Sequence, residues 1–169
     1  MTTAPDRCWL DPRVAARPSE IEGLGLFATS PIAKGEAVGV LGGRVIDDVE
    51  LREIARVRSK YNSLAIDDGV NLLLEDDEVI ARGNHSCDSN LWMRDAFTLE
   101  ARRDIAANEE LTVDYALQTA VDWEMACTYG SPLCRQVVRG SDWTRPELQE
   151  RYREHFSPFL NTRIAASSK

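Results

Sequence analysis

Asn84-His85-Ser86-Cys87-Asp88-Ser89-Asn90 is the stretch on which the reading of this chain turns. Taken alone, an Asn-His pair marks a turn with a satisfied core histidine. Further along, Glu109-Glu110-Leu111-Thr112-Val113-Asp114-Tyr115 places an aspartate-tyrosine pair after a short apolar strand. By itself that pair means a buried structural tyrosine. Upstream, Gly23-Leu24-Gly25-Leu26-Phe27-Ala28 is followed by Lys34-Gly35-Glu36. Glycine has no Cβ, so Gly23 and Gly25 suit either a hairpin turn or a close approach of backbone to a ligand. Each segment is unspecific alone; their order and spacing together are not.

Outward from these segments the text is mostly strand. Short apolar runs at Leu24–Ala28, Ala37–Leu41 and Val45-Ile46, punctuated by glycine, predict β-hairpins. Residues 48–58 place Leu51, Ile54 and Val57 at helical spacing, predicting a short amphipathic helix. Strands follow near 63–66 and 70–74, then an acidic run, Glu75 to Glu78, that reads as a solvated turn. Further strands are expected at 96–101 and 111–113, joined by a turn at 105–109. Residues 1–19 hold three prolines and read as an irregular leader with a short strand near 13–17. Near the other end, Thr144-Arg145-Pro146-Glu147 has the form of a capping box, so a helix carrying Leu148, Tyr152 and His155/Phe156 should start there. Ser157-Pro158 opens a second helix running to about Ala165.

With 169 residues the chain suits one domain with its own core. Hydrophobic residues make up 43% and no apolar run approaches the roughly 20 residues of a membrane span. The first residues lack a basic segment followed by an apolar one, so no secretory signal is expected. These features predict a cytoplasmic protein, or a nuclear one in a eukaryote. Net charge is −8, from 28 acidic and 20 basic residues. Direct nucleic-acid binding, which neutralises phosphates with Lys and Arg, is not expected. An acidic surface would steer a basic protein partner, or would serve solubility alone. Oligomeric state is not legible.

The three segments together resemble the core of SET-domain protein-lysine N-methyltransferases, over roughly residues 20–135. The resemblance implies a mainly β (α+β) β-clip fold of small sheets, with a pseudoknot-like core and C-terminal helices. It divides the chain into the leader 1–19, a SET domain 20–116, a post-SET-like segment 117–140 and a helical appendage 141–169. It implies methyl transfer from S-adenosylmethionine to the ε-amine of a lysine in a protein substrate. Gly23, Leu24, Gly25, Asn84 and His85 would bind the cofactor, and Tyr115 would be the catalytic residue, orienting the amine. Tyr61, Val113 and Phe159 are candidate walls of the lysine channel, with Phe156 an alternative to Phe159. No strong base is needed, and none is visible.

The chain departs from the family pattern in places. Ser89 stands where a proline is usual, which should loosen the turn. Leu41 stands where a tyrosine is common, and Val113 where Phe or Tyr is common; the smaller side chain favours more than one methylation. Many relatives add a Cys-x-Cys-x4-Cys segment that binds zinc with the cysteine of the Asn-His-Ser-Cys motif. Here Cys127 and Cys134 flank Tyr129 at the middle position, so Cys87, Cys127 and Cys134 make three ligands where structural zinc takes four. Cys8 or a histidine would have to complete the set; otherwise these are packed thiols. Two alternatives to an active enzyme remain at this point: a catalytically weak SET module that binds a lysine-bearing partner, and a zinc-binding interaction domain without cofactor.

Overall fold

The chain alternates short strand-forming runs with turns, and the strands find partners far along the sequence. The computed structural model describes residues 3–58, 60–127 and 130–167. Its strands are β1 Trp9–Leu10, β2 Val14–Pro18, β3 Leu24–Ala28, β4 Ala37–Val40, β5 Arg44–Asp47, β6 Ser63–Asp67, β7 Val70–Leu73, β8 Asn84–His85, β9 Leu91–Met93, β10 Thr98–Ala101, β11 Glu110–Val113, β12 Glu124–Ala126 and β13 Val137–Arg139. The helices are α1 Asp48–Val57, α2 Pro146–Tyr152 and α3 Pro158–Ser167. This is a mostly β protein with C-terminal helices, as expected. None of its helices, among the described residues, is long and apolar enough to cross a membrane.

An eight-stranded sheet runs in the order β1-β4-β10-β9-β11-β3-β2, with β8 also paired to β11. Smaller sheets are β5-β7-β6 and β12-β13. The glycine-punctuated runs are strands, but they do not pair with one another as hairpins. Instead β3 pairs with β2 and β11, β4 with β1 and β10, and β5 with β7. Strand propensity reflects fit to a half-buried pleated surface and does not name the neighbour. Residues 1–19 contribute two strands: β1 pairs with β4, and the strand expected near 13–17 is β2, which matches β3 over five registered pairs, from Val14↔Ala28 to Pro18↔Leu24.

Strand β11 brings the signature segments together. Glu110 and Leu111 pair antiparallel with Phe27 and Leu26 of β3, while Thr112 and Val113 pair parallel with Asn84 and His85 of β8. Asn90, buried in the turn between β8 and β9, imitates a strand with its side chain. Its Oδ1 accepts the Thr112 N–H at 2.8 Å and its Nδ2 donates to the Glu110 carbonyl at 2.8 Å. Ser89 does not loosen this turn, because its buried hydroxyl donates to the Leu91 carbonyl at 3.0 Å.

One main core joins both ends of the chain. Leu26, Leu72, Leu91, Leu111 and Leu117 pack with Leu148, Tyr152, Phe156 and Leu160 from the C-terminal segment. Helix α1 buries Leu51 on a satellite core with Ile46 and Leu73, whereas Val57 at its end is 81% exposed. The helix expected from a capping box starts differently. Arg145 is its N-cap, with φ −75° and ψ 122°, because the following proline disfavours helical backbone there. The Thr144 hydroxyl turns back to the Ser141 carbonyl at 2.8 Å.

Candidate active site

A cavity of about 1380 Å³ opens where β3, β8 and β11 meet the chain around Tyr61 and β12. Its lining includes Gly23, Leu24, Asn84, Val113, Tyr115 and Tyr61, so six of the expected site residues share one wall system. Leu41 and Trp123 line it as well.

Tyr115 begins a 3₁₀ turn directly after β11, capped by the Asp114 carboxylate, which accepts the Ala116 N–H at 3.1 Å. Its ring tilts against His85 and Trp123, with centroids 5.2 and 6.1 Å away. The phenol donates to the Gly83 carbonyl at 3.0 Å. Burial, and then the nearby Glu22 carboxylate, push its pKa up to about 12. The hydroxyl therefore stays protonated near neutrality and acts as a fixed dipole.

His85 supports that arrangement from below. It is 3% exposed, and its Nδ1 accepts the Tyr115 N–H at 3.2 Å. That bond leaves the ring proton on Nε2, which lies 3.2 Å from Cys87 Sγ. Desolvation lowers the His85 pKa to about 4, so the ring is neutral. Its side chain is spent on positioning Tyr115.

Asn84 is similarly engaged. Its Nδ2 lies within hydrogen-bond distance of Ser19 Oγ, the Glu22 and Leu24 carbonyls and Glu110 Oε1, at 2.8 to 3.2 Å. Asn84 thus ties the loop 19–24 to the sheet. Within that loop Gly23 adopts φ +51° with open space where a Cβ would be. At Gly25 a Cβ would sit 2.0 Å from Glu110 Oε1, so a side chain there would displace the carboxylate that reaches Ser19 and Asn84. The close approach at Gly25 is to the chain's own carboxylate. Sequence reading assigned no role to Ser19, Gly83, Glu110 or Trp123. For Glu110 the signal was present in the quoted Glu-Glu-Leu-Thr stretch.

Phe159 is placed elsewhere than expected. It lines a separate recess of about 330 Å³ with Asp48, Arg52, Asp122 and Arg163, which among the described residues shares only Tyr61 and Val121 with the lining of the large cavity. The Arg163 guanidinium sits over its ring at 4.6 Å. Phe156 is 1% exposed in the main core, edge-on to Tyr152. Neither is among the described residues that line the large cavity.

The pattern of strands, loop and tyrosine agrees with the sequence profile described as SET domain, which matches residues 23–116. The chain belongs to the SET-domain family. It is 31% identical over 149 residues to the histone-lysine N-methyltransferase ATX2 of Arabidopsis thaliana, covering 77% of this chain and 13% of that protein. It is 33% identical over 132 residues to an H3 lysine-4 specific histone-lysine N-methyltransferase of Eremothecium gossypii, covering 69% and 14%. Against the human H3 lysine-36 specific enzyme it is 31% identical over 128 residues, covering 66% and 5%. The chain therefore spans a small part of the length of these relatives.

The zinc ligands that the SET-domain resemblance implied can be tested on geometry. Cys87 and Cys127 are buried with their sulfurs 3.9 Å apart, and Cys134 packs against them around Val138. Burial raises the Cys87 thiol to about 12. His85 Nε2, Cys87 Sγ and Cys127 Sγ lie within 4.8 Å of one another. That imidazole is in the wrong tautomer for a metal, because a ligating Nε2 must be bare and its Nδ1 here accepts Tyr115 N–H. Cys8 is not part of this cluster; it packs against the main core and shares both directions of hydrogen bond with Gly42 at 3.2 Å. Tyr129 lies outside the described residues. Among the described residues these three thiols find no fourth ligand, and three thiols alone do not fit a structural zinc site.

Proposed function

We propose that this SET domain transfers methyl groups from S-adenosylmethionine to the ε-amine of a lysine in a basic protein. The observation that carries the reading is Tyr115: its ring and backbone are fixed by His85 and Gly83 in the wall of a cavity whose other walls come from both signature segments. The cavity has room for two ligands to meet, and Gly23 and Leu24 reach its edge on a loop that Asn84 fastens. Bound there, S-adenosylmethionine supplies an electrophilic methyl group on a sulfonium.

The chain's own residues supply position and dielectric. Apolar walls at Leu41, Leu64 and Val113 disfavour an ammonium ion and so favour the neutral, attacking amine. The Tyr115 hydroxyl orients that amine. Holding the reactants in line removes much of the entropic barrier, which suits a site with no evident general base. Val113 leaves space for an already methylated amine. The named activities of the relatives make histone H3 the first substrate to try, and a histone substrate would place the protein in the nucleus.

A weaker reading, a module that binds a lysine-bearing partner without turning it over, draws on the apolar Leu41 in the cavity wall. Titration and turnover separate the two. S-adenosylmethionine or its demethylated product should bind at micromolar affinity or better, roughly 8 kcal/mol, and raise the melting temperature. Asn84→Ala should abolish that shift by freeing loop 19–24. Tyr115→Phe should cut transfer of labelled methyl to recombinant histone H3, or to a band in a fractionated proteome, by about 10²-fold. Cofactor affinity in that variant should barely change. No heat and no stabilisation with well-folded protein would overturn the reading; binding without transfer would favour the module.

A further inference from the structure

The hairpin β12-β13 packs on Tyr115 through Trp123, Met125 and Val138, and Arg135 in its loop adds a set of buried polar contacts. Arg135 is 5% exposed at its side chain, in the loop between the two strands. Its two terminal nitrogens donate to Asp114 Oδ2 and Oδ1, each at 2.7 Å. Its Nε donates to Asp142 Oδ2 at 2.8 Å, and its main-chain N–H donates to Cys87 Sγ at 3.4 Å. Asp114 is fully buried and also takes the Tyr152 hydroxyl at 3.0 Å; Asp142 takes the Arg139 N–H at 3.1 Å. One guanidinium therefore joins the strand end that carries Tyr115, the hairpin and the start of the C-terminal segment.

We propose that a buried ion cluster of Arg135 with Asp114 and Asp142, and not a metal ion, fastens the hairpin to the Tyr115 turn in this chain. The donor directions support this. Three N–H groups in one plane serve two carboxylates at once, which a guanidinium does and an ammonium does not. Leaving buried carboxylates without their cation is strongly unfavourable, so the three segments are held as a unit. Trp123 and Met125, at the start of the hairpin, line the large cavity, which makes Arg135 a positioning residue for one of its walls. That last consequence rests on the proposed function; the fastening itself does not.

The test uses the full chain. Wild type is purified from zinc-supplemented cells, its metal content measured, and its melting temperature and hydrogen exchange recorded with and without a zinc chelator. Both should be unchanged by the chelator. Arg135→Gln should speed exchange across 124–139 by about tenfold or more, since local opening follows the lost contacts. Arg135→Lys should restore little of it. If Arg135→Gln does not fold, Asp142→Asn, which leaves the Asp114 pair in place, should still loosen 124–139. Below its melting temperature Arg135→Lys should lower kcat on histone H3 while affinity for the demethylated cofactor holds. A stoichiometric metal whose removal frees the hairpin would overturn the proposal. So would unchanged protection of 124–139 in the folded Arg135 and Asp142 variants. A transfer-inactive wild type that shows the expected exchange pattern would count against the proposed function alone.

Discussion

His85 shows what a single residue of the signature does that its spacing alone did not tell. The sequence pointed to cofactor binding, and the structure has its imidazole holding the Tyr115 N–H from a buried position. A buried neutral histidine has a consequence for acid stability. The ordinary pKa is 6.5, and here desolvation brings it to about 4. As pH falls through 6.5 the unfolded chain takes up a proton that the native chain refuses until about 4. The stabilisation is therefore complete above pH 6.5 and is lost progressively down to about 4, by about 3 kcal/mol in all. Melting temperature should drop between pH 7 and 4.5, and His85→Gln, less stable throughout, should show a shallower drop over that interval. An identical slope in the variant would assign the acid sensitivity elsewhere. Asp114 responds at lower pH: burial alone would raise it, but the Arg135 hydrogen bonds override this and hold its carboxyl below the usual range.

At the scale of elements, what could be read depended on whether a signal was local. Helix α1 was legible from Leu51 and Ile54, and its start is fixed by Asp47, whose carboxylate accepts the Glu50 N–H at 2.8 Å. The two C-terminal helices were legible too, but only one cap was read correctly. Ser157 precedes α3 and its hydroxyl lies 3.5 Å from the Leu160 N–H, the geometry of an N-cap. Thr144 has the same residue chemistry, yet Pro146 keeps Arg145 extended and moves the start of α2 one residue on. Ser157→Ala should therefore cost about 1 kcal/mol, and Thr144→Ala under about 0.5. Urea melts of the two variants check the difference; equal losses would restore Thr144 as the cap. The β strands were legible by composition while their partners were not, because the pairing of β11 with β3 and β8 is decided by packing across long stretches of chain. Arg135 escaped for the same reason. A lone arginine after a cysteine carries no local sign of two carboxylates waiting at positions 114 and 142.

Across the whole molecule, the recognisable part and the folding part differ in extent. The SET-domain profile matches residues 23–116. Strands β1 and β2 lie before that span, and their removal would leave β4 and β3 with unpaired edges. Leu148, Tyr152, Phe156 and Leu160 lie after it and are each at most 1% exposed in the main core. Without them, Leu72, Leu91 and Leu111, which share that core, lose part of their burial. Each large apolar side chain deleted from a core costs about 2 to 5 kcal/mol, and a domain has only about 5 to 15 in total. A fragment of residues 23–116 should therefore show no cooperative thermal transition and should be digested at once by trypsin. A fragment beginning at Glu20 but keeping the C-terminal segment should melt at least about 8 °C below the full chain. If the 23–116 fragment instead melts cooperatively, the flanking segments are attachments to a self-sufficient sheet. Their burial at Tyr152 and Leu160 would then have to be matched by an equal compensation within the fragment.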